Sequence, residues 1–384
     1  MAPTPRLVTI TPDGAPASLD SPPGRLVQGV ALVDEATQLG SRGHTDASDP
    51  VAQRLGQLRH ADYVRTTAIV AVLDAPPDDP VSPSRPPAPD DVVGYAWVRA
   101  LLTSKPDAVE LELCVHPDHR RHGVGAALWD AEVAIVQGQG RHVVQAWSDV
   151  AREPPPGPGI LAPSTGSGRV LASDPGARFA LARGFTFEQM ERMSRLDLPV
   201  DPALLRHFAE AAADHAGDEY RLHTWYRDVP DDALPDLAAL ESRMMTDAPS
   251  GGLDVEADPW DAERLRTWLD RFAERGQTVL ISAAEHTPTG RLVGFTGFVV
   301  AADPAAGRPS ADQDTTIVDP DHRGHRLGMA VKVANLQSLA ERRPDLRRVV
   351  TWNAEENGPM LGINVALGFQ PDGGVAAWQL RLPD

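Results

Sequence analysis

The same phrase stands twice in this chain, once in each half. Residues 115–125 read V-H-P-D-H-R-R-H-G-V-G, and residues 318–328 read V-D-P-D-H-R-G-H-R-L-G. Each follows a run with strand character and opens one with helical periodicity, 126–136 in the first case and 329–339 in the second. A strand, a short loop bearing arginine and glycine, and a helix N-terminus together make an anion site. Unpaired backbone N–H groups point outward there, and the helix dipole favours negative charge. A repeat of whole-domain length means duplication, not a solenoid of short units. The fold is therefore constrained to a doubled α/β domain that binds a phosphate-bearing ligand.

The elements around the two loops repeat in the same order. Helical periodicity at 31–39 and 51–58 precedes strand-like runs at 63–73, 92–102 and 109–115. Residues 74–91, rich in proline and aspartate, cannot continue a ladder or a helix and are expected as a surface loop. A strand at 142–147, a Pro/Gly/Ser-rich loop at 153–176, a helix at 177–183 and a strand to 196 complete the first half. Residues 201–215 read as a connecting helix with Asp201 as its cap and Pro202 in its first turn. The second half runs strand 220–226, helices 231–245 and 260–275, a hairpin of 278–284 with 291–300, and a short strand at 315–318. A helix from 327, a strand at 348–352, a helix at 358–367 and a strand near 376–382 follow. The expected division is 1–200, a connector at 201–216, and 217–384.

A length of 384 residues suits two to three domains. The formal charge of −18 argues against a nucleic-acid partner. It suits a cationic small substrate, and equally a plain acidic surface that keeps the protein soluble. Cys114 is the only cysteine, so an intrachain disulfide and a multi-cysteine metal site are excluded. No histidines form an H-E-x-x-H motif or other close ligand pair, and no metal is expected. No apolar run approaches a membrane span, and M-A-P-T-P-R lacks a signal-peptide pattern; a cytoplasmic protein is expected. Basic residues are nearly all arginine, the lysines being Lys105 and Lys332 alone. With the Ala, Pro and Asp bias this resembles a G+C-rich bacterial gene of actinobacterial type.

In the first loop, Arg120-x-x-Gly123-x-Gly125 is led in by an acidic strand and a V-x-P turn, and a helix starts at its second glycine. This resembles the acyl-CoA loop of the GCN5-related N-acetyltransferases, and both halves match that family's order of elements. The resemblance implies an α/β protein of two tandem domains, each a mixed, mostly antiparallel sheet flanked by helices. It implies acetyl-CoA as co-substrate, its pyrophosphate held by Val115, Arg120, Arg121, His122, Gly123 and Gly125 in one loop. Val318, Arg323, Gly324, His325, Arg326 and Gly328 are the matching residues of the other. The strand before such a loop is implied to splay, leaving a backbone N–H free to polarise the thioester carbonyl. Arg326 stands where the family has glycine; its guanidinium would either assist phosphate binding or fill the site. The segment 351–369, T-W-N-A-E-E-N-G-P-M-L-G-I-N-V-A-L-G-F, resembles the family's later strand and helix. Asn353 and Asn357 are candidates there for the pantetheine amides, which need donor and acceptor alike, or for helix capping.

Many members of the family carry a tyrosine four residues before the Gly-Phe pair, as acid for the leaving thiolate. Ala180 and Asn364 occupy those positions here. Since an amide is a poor acid, water, Tyr220 or Tyr226, or departure of the thiolate unprotonated, are the alternatives. The base that takes a proton from the substrate ammonium is expected to be a carboxylate. Glu110 and Glu112 share a strand face with Cys114, while Asp312 and Asp314 precede the second loop. Glu112 and Asp314 are the leading candidates, with Asn364 at the acid position; Cys114 reads as a small packed side chain. Asp247 and Asp254, in the segment 243–254 that often borders the acceptor in the family, are candidates to receive a cationic amine, or plain turn residues. The expected function is acetyl transfer from acetyl-CoA to a primary amine of a small molecule by direct attack, in the second half. A non-catalytic acyl-CoA-binding scaffold and a protein or peptide N-acetyltransferase are the alternatives.

Overall fold

A computed structural model describes residues 5–73, 86–104, 106–304 and 309–383; most of the proline-rich segment expected as a loop at 74–91 lies outside them. In chain order the elements are β1 (Arg6–Ile10), α1 (Pro22–Arg42), α2 (Val51–Arg59), β2 (Val64–Val72), β3 (Val92–Leu101) and β4 (Ala108–Val115). Next come α3 (Val124–Gly138), β5 (Val143–Val150), the short β6 (Ile160–Leu161) and β7 (Val170–Leu171), α4 (Pro175–Leu181) and β8 (Thr186–Asp197). The chain continues with α5 (Pro202–Ala216), β9 (Tyr220–Tyr226), α6 (Leu234–Asp247), α7 (Ala262–Glu274), β10 (Gln277–His286) and β11 (Arg291–Ala301). It ends with β12 (Ser310–Val318), α8 (Leu327–Arg342), β13 (Arg348–Ala354), α9 (Gly358–Leu367) and β14 (Gln370–Arg381).

Two compact units result: 1–151 with 172–188 and 377–384, and 152–171 with 189–376. They differ from the linear halves expected from the sequence because β8 and β14, each of 12 residues, begin in one unit and end in the other. Nor is α5 a bare connector: Leu205 puts it in the second unit's core, beside Val333 and Leu336 of α8.

In the first unit β1, β2, β3 and β4 pair antiparallel, and β5 adds parallel to β4. Period-two alternation sorts the side chains of β2. Ala68 and Val70 meet Leu26, Val30 and Leu58 of α1 and α2, while Ile69 and Ala71 meet Val124 and Leu128 of α3. Helix α1 starts well before the expected 31–39. Ser21 accepts from Gly24 N, prolines occupy the first turn, and left-handed Gly43 closes the helix. Leu128 is fully buried; truncating it to alanine would cost about 2–5 kcal/mol and loosen the helix that carries the anion loop.

The second unit repeats this plan. Strands β9, β10, β11 and β12 are antiparallel, β13 lies parallel to β12, and β8 lies antiparallel to β13. Leu237 and Leu240 of α6 and Leu265 and Leu269 of α7 cover one face, against Ile281 and Phe295. Helices α5, α8 and α9 cover the other, around Phe298, Leu336 and Leu367. Among the described residues no helix is long and apolar enough to cross a membrane.

Candidate active site

The two loops share one backbone. A tight turn at 117–119 or 320–322 follows the strand. Arg120 and Arg323 then fold back, each donating from Nε to the carbonyl of the strand's last residue, Val115 at 3.0 Å and Val318 at 3.1 Å. Left-handed residues come at 121 and 123 in one loop and at 324 and 326 in the other. Such alternation turns neighbouring N–H groups toward one concavity, and α3 or α8 begins directly after it. The first loop has glycine at the second of these positions, Gly123, and the second loop at the first, Gly324. Arg121 (φ 67°) and Arg326 (φ 57°) take the others. The departure at Arg326 is thus an exchange of arginine and glycine around a shared histidine, His122 or His325, and the Arg326 side chain is exposed. Behind the loops, a Cβ added to Gly125 or Gly328 would come within 3.2 Å of Phe179 on α4 or Ile363 on α9.

The strands leading into the loops differ. β4 pairs with β3 in one unbroken register from Arg99↔Glu110 to Gly94↔Val115. β12 slips by one residue against β11 between Phe298↔Gln313 and Thr296↔Thr316, so Asp314 and Thr315 together face Gly297. Such a bulge reverses the alternation of side chains. Gln313 therefore points to α8, accepting from Lys332 at 2.8 Å, while Thr315 points to α6 and donates to Glu241 at 3.3 Å. In a regular strand they would share a face. The sequence reading started this strand at 315 because S-A-D-Q-D is too polar for an ordinary strand; the structure places Asp312 and Asp314 inside β12. Pairing of β4 with β5 stops at Leu111, and that of β12 with β13 at Asp312. Beyond those points each pair parts into a cleft at its loop.

In the first unit the acidic strand residues are engaged. Arg54 donates to Glu112 from Nη1 at 2.6 Å and Nη2 at 2.7 Å, and the Tyr95 hydroxyl donates to it as well. Burial alone would raise the Glu112 carboxyl, but Arg54 and Tyr95 hold it below its usual range; it is a weak base. Burial pushes Asp34, which touches the same guanidinium, up to about 7 against the pull of Arg54. Glu110 pairs with Arg99 at 3.1 Å. Burial also pushes the Cys114 thiol up to about 12 despite its contact with Thr37, so it stays protonated. Ala180, at the acid position, has no polar atom on its side chain.

The second unit arranges its carboxylates differently. Asp314 has no hydrogen-bonded or ionic partner among the described residues, and desolvation raises its carboxyl above its usual range. Glu241 on α6 is pushed up to about 8 by burial and then by the charge of Asp314. It borders a small apolar pocket with Trp260, Trp268, Ile281 and Phe295. A carboxyl pushed up to about 8, with a second raised carboxyl near it, suits the removal of a proton from an ammonium group. Glu241 escaped the sequence reading because it sits in an ordinary amphipathic helix, 73 positions from Asp314.

Asp247 and Asp254 are otherwise occupied. Asp247 accepts from Arg323 at 2.7 Å and Arg243 at 3.4 Å, bracing the anion loop from α6. Asp254 is engaged too. Tyr220 bonds His322 at 3.0 Å, and Tyr226 lies under the guanidinium groups of Arg227 and Arg342. Asn357 caps α9, accepting from Met360 N at 3.2 Å. Asn364 donates to Asn353 at 2.7 Å, and both belong to the second unit.

Known proteins match this geometry. Residues 65–154 match the acetyltransferase (GNAT) family. A protein named mycothiol acetyltransferase from Sanguibacter keddieii is 29% identical over 77% of this chain and 82% of its own. Another of that name from Acidothermus cellulolyticus is 26% identical over 92% and 93%. A solved tandem GNAT protein from the clavulanic acid biosynthesis pathway has the same fold, with a TM-score of 0.68 at 23% identity over 99% of both chains. The chain thus carries a GNAT-type domain at 65–154 and as a whole resembles tandem GNAT proteins. It is mycothiol synthase-like in architecture, with two α/β domains whose sheets are mixed and mostly antiparallel. It is an acyl-CoA-dependent N-acetyltransferase that moves acetyl from acetyl-CoA to an amine. Among the described residues no group of three or more His, Cys, Asp or Glu side chains is placed to hold a metal.

Proposed function

We propose that this N-acetyltransferase acetylates the primary amine of a cytoplasmic small molecule, and that the reaction takes place in the second unit. The bulge in β12 carries this reading. It removes one backbone N–H from the ladder beside the cleft, turns Asp314 outward, and sets Thr315 against Glu241. The anion loop 318–328 would hold the pyrophosphate, Asn353 would face the pantetheine arm, and the freed N–H would polarise the thioester carbonyl. The Glu241–Asp314 pair would draw a proton from the incoming ammonium, leaving its nitrogen free to attack. The first unit keeps the anion loop, but its strand is regular and Glu112 is locked to Arg54; it serves as an acyl-CoA-binding or structural domain. The names of the relatives make the amine handled in mycothiol acetylation the first acceptor to test.

Calorimetric titration of acetyl-CoA into the wild type, Gly125→Glu and Gly328→Glu tests the cofactor reading, with circular dichroism confirming that each variant is folded. Each substitution sets bulk and negative charge beside one loop. Gly328→Glu is expected to abolish both binding in the second unit and turnover, while Gly125→Glu leaves turnover intact. Loss of turnover in Gly125→Glu alone would move the chemistry to the first unit.

A further inference from the structure

Lys332, one of two lysines in an otherwise arginine-based chain, is 1% exposed. An ammonium group buried so deeply is costly unless it is well partnered. Its Nζ donates to Gln313 Oε1 and Asn364 Oδ1, both at 2.8 Å, and lies 5.7 Å from the centre of the Phe369 ring. These partners, from β12, α9 and the turn after α9, are all neutral. Gln313 is itself fixed by donating to Thr296 at 2.8 Å. The corresponding places in the first unit, Trp129 and Ala180, hold no such group.

An ammonium only donates, so Lys332 sets the orientation of the Asn364 amide. The carbonyl oxygen must face Lys332, and the NH2 group must face the other way, toward Asn353 Oδ1 at 2.7 Å. Asn353 lies on β13 beyond its last pair with β12, where the two strands part. A line of polar groups thus runs from a buried charge to the cleft: Lys332, Asn364, Asn353.

We propose that Lys332 is a positioning residue for the leaving group: it orients the buried Asn364 amide, which fixes Asn353 through its own N–H, so that the Asn353 N–H groups face the departing thiolate. The inference rests on the reading that acetyl-CoA lies in the β12–β13 cleft. In the step itself, the ammonium first gives a proton to the carboxylate pair. The nitrogen lone pair then forms the C–N bond, and the C–S bond breaks with its electron pair left on sulfur. The second nitrogen proton finally neutralises the thiolate. Burial lowers Lys332 to about 7, so its charge is present in acid and fades as the pH rises through neutrality.

The test compares the wild type with Lys332→Met and Asn364→Asp, following thiol release from acetyl-CoA. The acceptor is whichever of glucosamine, spermidine and 2-phenylethylamine the wild type turns over fastest. Asn364→Asp keeps an acceptor for Lys332 but removes the N–H that fixes Asn353. Both variants are expected to lose about 30-fold or more in kcat, with KM for acetyl-CoA within threefold. Lys332→Met should also lose an alkaline limb present in the wild type. A folded variant of either kind that keeps wild-type kcat overturns the proposal; should Lys332→Met fail to fold, Asn364→Asp decides alone. Failure of the wild type to bind acetyl-CoA in calorimetry would instead overturn the cofactor reading beneath it.

Discussion

β4 and β12 occupy the same place in two copies of one domain, and they solve opposite problems. β4 holds an unbroken register and directs Glu112 into a bidentate contact with Arg54. β12 gives up one pair of ladder bonds, and its Asp314 has no hydrogen-bonded or ionic partner among the described residues. Partnering lowers the carboxyl of Glu112, whereas desolvation raises those of Asp314 and Glu241. The same side-chain chemistry is thus tied into an ion pair in one unit and left open in the other, as the proposed proton transfer requires; neighbours decide which.

The comparison breaks most directly by neutralising each carboxylate. Glu241→Gln and Asp314→Asn are expected to reduce kcat/KM by about 10²–10⁴, the range supplied by a positioned base. Glu112→Gln should change kcat/KM by less than about threefold. It should instead lower the melting temperature, because the buried Arg54 loses a charged acceptor, a cost on the order of 1–3 kcal/mol. A Glu112→Gln enzyme that is stable but inactive would reverse the assignment of the two units.

A subtler way to sharpen it is pH. A base works deprotonated, so the acid limb of kcat/KM should report Glu241, which is pushed up to about 8, while Lys332 sets the alkaline limb. Glu241→Gln should shift or remove the acid limb, and Glu112→Gln should leave it in place. Stability moves in the opposite sense. A carboxyl raised in the folded state leaves stability intact below its unfolded value and removes it as the pH climbs through the folded one. Glu241→Gln should therefore gain melting temperature over the wild type above about pH 8 and lose that advantage below its ordinary value of 4.5. A pH-independent difference would mean that Glu241 does not titrate in this window.

Much of this was legible in the sequence because it was local. The repeated loop, the element order and the glycines before Phe185 and Phe369 each follow from a few adjacent residues. Strand β1 was missed, as was the start of α1, whose P-P-G opening reads as a turn until Ser21 is seen to cap it. The first half of β12 was missed because a bulged strand beside a cleft loses the apolar alternation that marks ordinary strands. Glu241 and Lys332 escaped for another reason. Their surroundings are set by strand register and helix packing across tens of residues, and no local pattern encodes that. The scarcity of lysine was the one available signal for Lys332.

The smallest expected effect concerns the loops. Each has two left-handed positions, filled Arg-then-Gly in the first and Gly-then-Arg in the second. A left-handed arginine costs roughly 1–2 kcal/mol, while glycine gives back about 0.5–1 kcal/mol through the flexibility of the unfolded chain. Arg326→Gly should therefore stabilise by no more than about 1.5 kcal/mol, readable as a small rise in melting temperature. Its larger consequence should be for binding. Arg326 is exposed at the start of α8 and free to reach an anion held by the loop amides, so Arg326→Gly should weaken acetyl-CoA binding about three- to tenfold. That is about 0.7–1.4 kcal/mol, and it should shrink in high salt as an exposed charge is screened. Arg121→Gly should show a similar small stability change without altering binding in the second unit. Tighter acetyl-CoA binding by Arg326→Gly would show that the guanidinium fills the site it is expected to assist. The second loop would then be the obstructed one, and the search for turnover would return to the first.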